Sequence, residues 1–123
     1  MQTLGRGKVI NVASIAGLQG SMNSAAYNTS KHAVVGLTRC MALENAKLGI
    51  NVNAICPGIV ETDLVRGVED QMVASGMPRE EFRERIVAQI PRGRVLQPQE
   101  IANLAVYLAS DESNGMNGQA VAI

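Results

Sequence analysis

The sequence predicts an α/β protein built on a parallel sheet. Three features carry that prediction: short β-branched or apolar runs at 8–14, 50–56 and 119–123; a long helical periodicity between the first two; and helical segments closed by proline between the last two. Strands that alternate with helices pair in parallel through right-handed crossovers.

Lys8-Val9-Ile10-Asn11-Val12-Ala13-Ser14 lies between glycine-containing segments and reads as a buried strand, with the chain turning after Ser14. Val9, Ile10 and Val12 suit a strand covered on both faces, with neighbours on both edges. Gly17, Gly20, Ser21 and Asn23 make 15–23 a loop. A helix is expected over about 24–47, where Ala33, Val34, Leu37, Met41 and Leu48 recur at three- and four-residue steps, and Gly49 stops it. Ile50-Asn51-Val52-Asn53-Ala54-Ile55-Cys56 is the second strand, broken by Pro57-Gly58. Residues 59–97 are less regular, with one amphipathic helix at about 79–90 on Phe82, Ile86 and Ile90, closed by Pro91. Pro98 opens another helix that buries Ile101, Leu104, Ala105 and Leu108. Gln119-Ala120-Val121-Ala122-Ile123 is the third strand.

Composition narrows the function classes. A length of 123 residues suits one small domain, and 46% hydrophobic content excludes wholesale disorder. No apolar run approaches the roughly 20 residues of a membrane helix, and the first eight residues carry no apolar signal region, so a cytoplasmic protein without a membrane partner is expected. Eleven basic residues balance eleven acidic ones, which argues against a nucleic-acid partner. Residues 1–60 hold five basic groups against Glu44 alone, a surplus explained by solvated surface or by an anionic small molecule. Cys40 and Cys56 are too few for a disulfide scaffold or a four-ligand zinc site, and are expected as two buried free thiols. With His32 the only histidine, a histidine-based metal site or a Ser-His-Asp triad is not expected.

The residues that carry chemistry are Ser14, Tyr27 and Lys31. Tyr27 and Lys31 are four apart, so on a helix their side chains sit one turn apart on one face. A phenol with an ordinary pKa near 10 exchanges protons poorly at neutral pH, and an ammonium one turn away stabilises the phenolate and brings such a group into range. Ser14 ends a strand at its carboxyl edge, where open α/β sheets bind ligands, so its hydroxyl could hold a substrate oxygen. The plain alternatives are a surface Tyr-Lys pair and a serine that caps a turn.

The surroundings of these residues resemble the short-chain dehydrogenase/reductase family. Asn11-Val12-Ala13-Ser14 with Ala16-Gly17 looks like its catalytic-serine strand end. Tyr27-Asn28-Thr29-Ser30-Lys31 matches its Tyr-x-x-x-Ser-Lys helix, at the family's 13-residue Ser-to-Tyr step. Asn51 to Gly58 resembles the next strand, and Ile59-Val60-Glu61-Thr62-Asp63 its Pro-Gly-x-Val-x-Thr continuation. Pro91-Arg92-Gly93-Arg94 and Pro98-Gln99-Glu100-Ile101-Ala102 resemble the segment before the last strand, and Asn117-Gly118-Gln119 the entry to it. The resemblance runs in order along nearly the whole chain.

It implies the last three strands, with their helices, of a Rossmann-like doubly wound sheet, in an NAD- or NADP-dependent oxidoreductase that interconverts a small alcohol and a ketone, similar to 3-oxoacyl-carrier-protein reductases or small alcohol and hydroxy-acid dehydrogenases. Tyr27 would be the general acid/base. Lys31 would assist it and hold the nicotinamide ribose, and Ser14 would orient the substrate carbonyl. Pro57, Gly58, the Val60 backbone and the Thr62 hydroxyl would fix the nicotinamide carboxamide. Residues 63–90, with Met72, Met77 and Phe82, would form a lid or an ordinary amphipathic helix packed on the body. A homo-oligomer is implied for a full-length enzyme, with 98–123 at a subunit interface.

The family's opening Gly-x-x-x-Gly-x-Gly turn has no counterpart here, because Gly5-Arg6-Gly7 precedes a strand instead of following one. Residues 1–123 are therefore expected to be a single partial domain, the C-terminal catalytic half without the N-terminal cofactor-binding half, binding dinucleotide weakly and turning nothing over alone. Two rivals are a non-catalytic module that assembles with full-length subunits and a generic doubly wound binding domain. An open apolar edge beside Val9 to Val12 is expected to favour aggregation. The Asn28-Thr29-Ser30 sequon is read as incidental. The arginines at 79, 83, 85, 92 and 94, interleaved with Glu80, Glu81 and Glu84, are read as a solvated helix face.

Overall fold

Parallel pairing of consecutive strands requires a crossover, and the chain supplies a 21-residue helix for the first one. In this computed structural model, which describes every residue except the side chain of Gln2, the elements are β1 (Gly7–Val12), α1 (Ala25–Asn45), β2 (Ile50–Cys56), α2 (Asp63–Ala74), α3 (Arg79–Ala88), α4 (Pro98–Ala109) and β3 (Ala120–Ala122). The chain divides into two compact units, Met1–Gly58 with Ile101–Ile123, and Ile59–Glu100.

In the first unit the sheet order is β1-β2-β3, all parallel, with Gly7 opposite Ile50 and Ala54 opposite Ala120. The three strands fall where the apolar runs predict them, and β3 is trimmed to three residues. Alternate residues of β2 build the core under α1. Ile50 and Val52 pack with Ala42, while Ala54 and Cys56 pack with Ala13 and Val35. Alanine on both sides of the contact lets helix and sheet approach closely.

Of the intervening positions, Ile55 is apolar and fully buried, but Asn51 and Asn53 are polar, and a buried amide is costly unless bonded. Asn51 Nδ2 donates to the carbonyls of Asn114 and Met116; Asn53 Nδ2 donates to Met116, and its Oδ1 accepts from the Gln119 N–H. Asn117 Oδ1 accepts from the Val52 N–H, and its Nδ2 donates to the Ala42 carbonyl. These asparagines steer the chain into β3.

Three expectations change in this unit. The strand flanked on both sides is β2. Among the described residues β1 pairs with β2 alone, and Val12 is 59% exposed. β-Branched composition marks a strand without telling its place in the sheet. Of the face expected on α1, Val34 and Met41 do pack against the core, but the fully buried residues are Asn28, Val35, Thr38 and Ala42, and Leu37 is 55% exposed. Close packing on the sheet selects small or bonded side chains over long aliphatic ones: Thr38 Oγ1 donates to the Val34 carbonyl and accepts from Asn11 Nδ2. The same rotation leaves Cys40 exposed, while Cys56 is buried. The helix itself ends at Asn45, followed by one 3₁₀ turn that Gly49 terminates at φ +67°.

In the second unit Val60 and Leu96 form a parallel bridge, closed by Glu61 N–H to Leu96 O (2.8 Å) and Leu96 N–H to Ile59 O (2.9 Å). α3 occupies the expected helix. α2 was not expected: Gly67 interrupts its pattern, and Leu64, Val68 and Met72 are exposed, while the buried residue is Glu69. Among the described residues no helix is long and apolar enough to cross a membrane.

Candidate active site

β1 delivers Ser14 to the carboxyl edge of the sheet. Its backbone is still extended (φ −174°, ψ 160°), and it caps a 3₁₀ turn, Ile15–Gly17, with its Oγ accepting from the Ala16 N–H at 3.1 Å. The capping role weighed for this serine is thus real, and it leaves the hydroxyl proton free to be donated elsewhere. The sheet ladder continues past the strands here. Ile15 N–H donates to Pro57 O and Gly58 N–H to Ile123 O, both at 2.9 Å. Pro57, which has no N–H, stands where only its carbonyl is used. Burial pushes the Cys56 thiol up, against a hydrogen bond from the Ser14 backbone and the charge of Arg39.

α1 carries Tyr27 and Lys31 as the i, i+4 spacing requires. Lys31 Nζ lies 5.6 Å from the Tyr27 ring centroid, within cation–π range, and Tyr27 is 48% exposed. Among the described residues Lys31 has no acidic partner, although it is half-buried. Gly17 brings the Ser14 turn against this helix: a Cβ there would lie 2.6 Å from the Lys31 carbonyl oxygen. Ser14's turn and Lys31's backbone are therefore direct neighbours.

Asn28, singled out only as a sequon, fastens the loop before α1. It is buried, its Nδ2 donates to Gln19 O, and its Oδ1 accepts from Ser21 Oγ. Both ends of the amide are used inside the protein. His32 Nδ1 is bonded to the Asn28 carbonyl, and among the described residues no group of His, Cys, Asp and Glu is placed to hold a metal.

The second unit holds Val60 and Thr62. Val60 is fixed by its bridge to Leu96, and Thr62 precedes α2 with its hydroxyl making one long bond, 3.3 Å, to Val60 O. Between them, Glu61 joins a charged network that sequence reasoning missed. Arg83 Nε and Nη2 each lie 2.7 Å from a Glu69 oxygen, and Nη1 lies 2.7 Å from Glu61. Arg66 and Arg79 contact Glu61 and Glu69 from the rim. Hydrogen bonds from Arg83 hold both carboxyls below the ordinary glutamate range. The expected solvated face is correct for the Arg85–Glu81 pair, but not for Arg83, whose partners are contributed from outside its own helix.

Parallel strands, a crossover helix and a polar carboxyl edge define a doubly wound α/β protein of the Rossmann type. The family model described as Enoyl-(Acyl carrier protein) reductase matches residues 1–123. An uncharacterized oxidoreductase, YxjF of Bacillus subtilis (strain 168), is 44% identical over 95% of this chain and 46% of its own length. The crystal structure of a variant actinorhodin polyketide ketoreductase with NADPH superposes with a TM-score of 0.93 at 40% identity, covering 100% of this chain and 48% of that one. NAD⁺-bound xylitol dehydrogenase superposes with a TM-score of 0.88 at 33% identity, over 100% and 50%. The chain belongs to the short-chain dehydrogenase/reductase family, a family of oxidoreductases, and spans about half the length of the relatives it matches.

Proposed function

We propose that this chain is the C-terminal, proton-transferring part of an NAD- or NADP-dependent oxidoreductase that interconverts a small alcohol and a ketone, working in the cytoplasm as a homo-oligomer. The observation that carries the proposal is the half-buried Lys31 ammonium, without an acidic partner among the described residues, seated over the Tyr27 ring on a helix whose Lys31 main chain lies against the turn that Ser14 caps. An ammonium so placed keeps N–H donors that a ligand rich in oxygen can take up.

The donors available suit a nicotinamide nucleotide. Lys31 offers N–H groups for ribose hydroxyls; Pro57, Gly58, the Val60 backbone and the weakly bonded Thr62 hydroxyl suit the carboxamide. A Cβ at Gly58 would meet nothing nearer than 3.5 Å, so the backbone there is open to close approach. When bound, the cofactor supplies or takes up the hydride. Tyr27 donates a proton to the carbonyl oxygen in reduction and removes it from the hydroxyl in oxidation. Ser14 donates its free hydroxyl proton to the same oxygen, while its bond from Ala16 fixes the Oγ position.

The nucleotide found with actinorhodin ketoreductase is NADPH, and that with xylitol dehydrogenase is NAD⁺; both support the cofactor class and leave the choice open. The test joins this chain to the amino-terminal half of a ketoreductase relative and follows NAD(P)H oxidation with a small ketone. Tyr27→Phe is expected to lower turnover at least about 100-fold. Unchanged turnover would overturn the assignment. The open edge of β1 favours one other reading, a non-catalytic module that pairs with complete subunits. Light scattering on a mixture of this chain and such a subunit decides it, and separate masses reject it.

A further inference from the structure

The Arg83 guanidinium joins two places in the second unit. Through Nε and Nη2 it grips Glu69, whose side chain is 1% exposed in the middle of α2. Through Nη1 at 2.7 Å and Nη2 at 3.3 Å it also holds Glu61, which lies outside both helices between Val60 and Thr62. One planar group thus ties α3, which carries it, to α2 and to the bridge segment 59–62. The fork spreads these bonds over three nitrogens, which gives a two-point grip on each carboxylate that a single ammonium nitrogen cannot reproduce.

The arrangement is an unusual way to pack two helices. α2 turns Glu69 inward and leaves Leu64 and Met72 exposed, so the one fully buried side chain of this helix is a charged one. Buried ion pairs are poor stabilisers compared with well-packed apolar residues, and their better-attested use is to fix register. Here the register fixed is that of Glu61, and with it the backbone of Val60 and the hydroxyl of Thr62.

We propose that Arg83 is a positioning residue that sets segment 59–62 for the nicotinamide carboxamide by anchoring Glu61 to the α2–α3 pair. The proposal rests on the reading above in which Val60 and Thr62 meet the cofactor. Helix pair and carboxamide contact then move together: a ligand that orders α2 and α3 also orders Val60 and Thr62, and the converse holds equally.

The experiment uses the whole chain, isotopically labelled, with reduced nicotinamide mononucleotide as probe. In the wild type the Val60 and Thr62 amide resonances shift on titration. Arg83→Met and Glu61→Ala are each expected to weaken that binding about tenfold and to speed amide exchange at Glu61 and Leu96 about tenfold, with the β2 amides unchanged. Arg83→Lys is expected to recover only part of the loss seen in Arg83→Met, because an ammonium keeps the charge but loses the two-point grip on each carboxylate; full rescue by lysine would overturn the fork geometry. Should Arg83→Met lose β2 protection, Glu61→Ala decides, since it leaves the Arg83–Glu69 pair intact. Unchanged exchange and unchanged mononucleotide affinity in Glu61→Ala would overturn the role of Arg83 while leaving the cofactor reading in place. Faster exchange in both variants, with no wild-type shift at Val60 or Thr62, would overturn the cofactor reading and the cofactor side of this proposal.

Discussion

Replacing Gly17 by alanine tests the contact that seats the Ser14 turn on α1. The added Cβ would lie 2.6 Å from the Lys31 carbonyl oxygen, 2.9 Å from its carbonyl carbon and 3.2 Å from Val35 Cγ2. Ordinary contact begins near 3.4 Å, so turn and helix must separate by about 0.8 Å along the shortest of these. No rotamer can absorb this, because the two nearest atoms belong to the main chain. Overpacking of this kind costs about 1–3 kcal/mol. For a chain of this length that is a fall in melting midpoint of roughly 5–15 °C. Gly36 supplies the control. It lies inside α1 with nothing within 4 Å of an added Cβ, so Gly36→Ala should stabilise by about 0.5–1 kcal/mol from helix propensity alone. Urea unfolding followed by far-UV circular dichroism measures both. A Gly17→Ala variant within about 0.5 kcal/mol of wild type would refute the close approach.

Three further outcomes are expected. The carboxyls of Glu61, Glu69 and Glu100 are lowered in the folded chain by Arg83, Arg83 and Arg94, Glu100 to about 2 from an ordinary 4.5. Their contribution is complete above the ordinary value and is lost as pH falls toward 2, so the urea midpoint should decline through that window, and a flat midpoint would refute it. Alkylation of the native chain should label exposed Cys40 and spare Cys56, which is buried and whose thiol pKa is raised, until denaturant is added; equal rates by mass spectrometry would refute the burial of β2's last residue. Thr38→Val removes the acceptor for Asn11 Nδ2 on a fully buried side chain and should cost about 1–2 kcal/mol in the same urea assay, whereas wild-type stability would show that Asn11 finds another partner.

The strands and the long crossover helix were legible because their signals are local: β-branched runs bounded by glycine and proline, and a 3.6-residue period. What escaped was set by partners distant in the chain. The inward face of α1 was readable at Val34 and Met41 but not at Leu37, because closeness to β2 decides which side chains fit beneath the helix, and the fit favours Ala42 against Ile50 and Val52 and a bonded Thr38. α2 escaped although Leu64, Val68 and Met72 keep a helical step: Gly67 interrupts the run, and the residue this helix buries is a glutamate whose partner Arg83 lies on another helix. Of the candidate site, the adjacency of Tyr27 and Lys31 was readable, since four residues fix one turn. The use of Asn28 as a fastener and of Arg83 as a bridge was not, because each depends on where other segments lie.

At the carboxyl edge, the three strand ends are joined by main-chain bonds from Ile15 to Pro57 and from Gly58 to Ile123, with no side chain in the joints. Such a seam keeps its coordinates whatever group protrudes from it. Chemistry there can be exchanged like a tool in a fixed holder: a changed side chain at position 14 alters what is presented to a ligand and gives up the cap on Ala16, while the main-chain joints between the strands stay as they are.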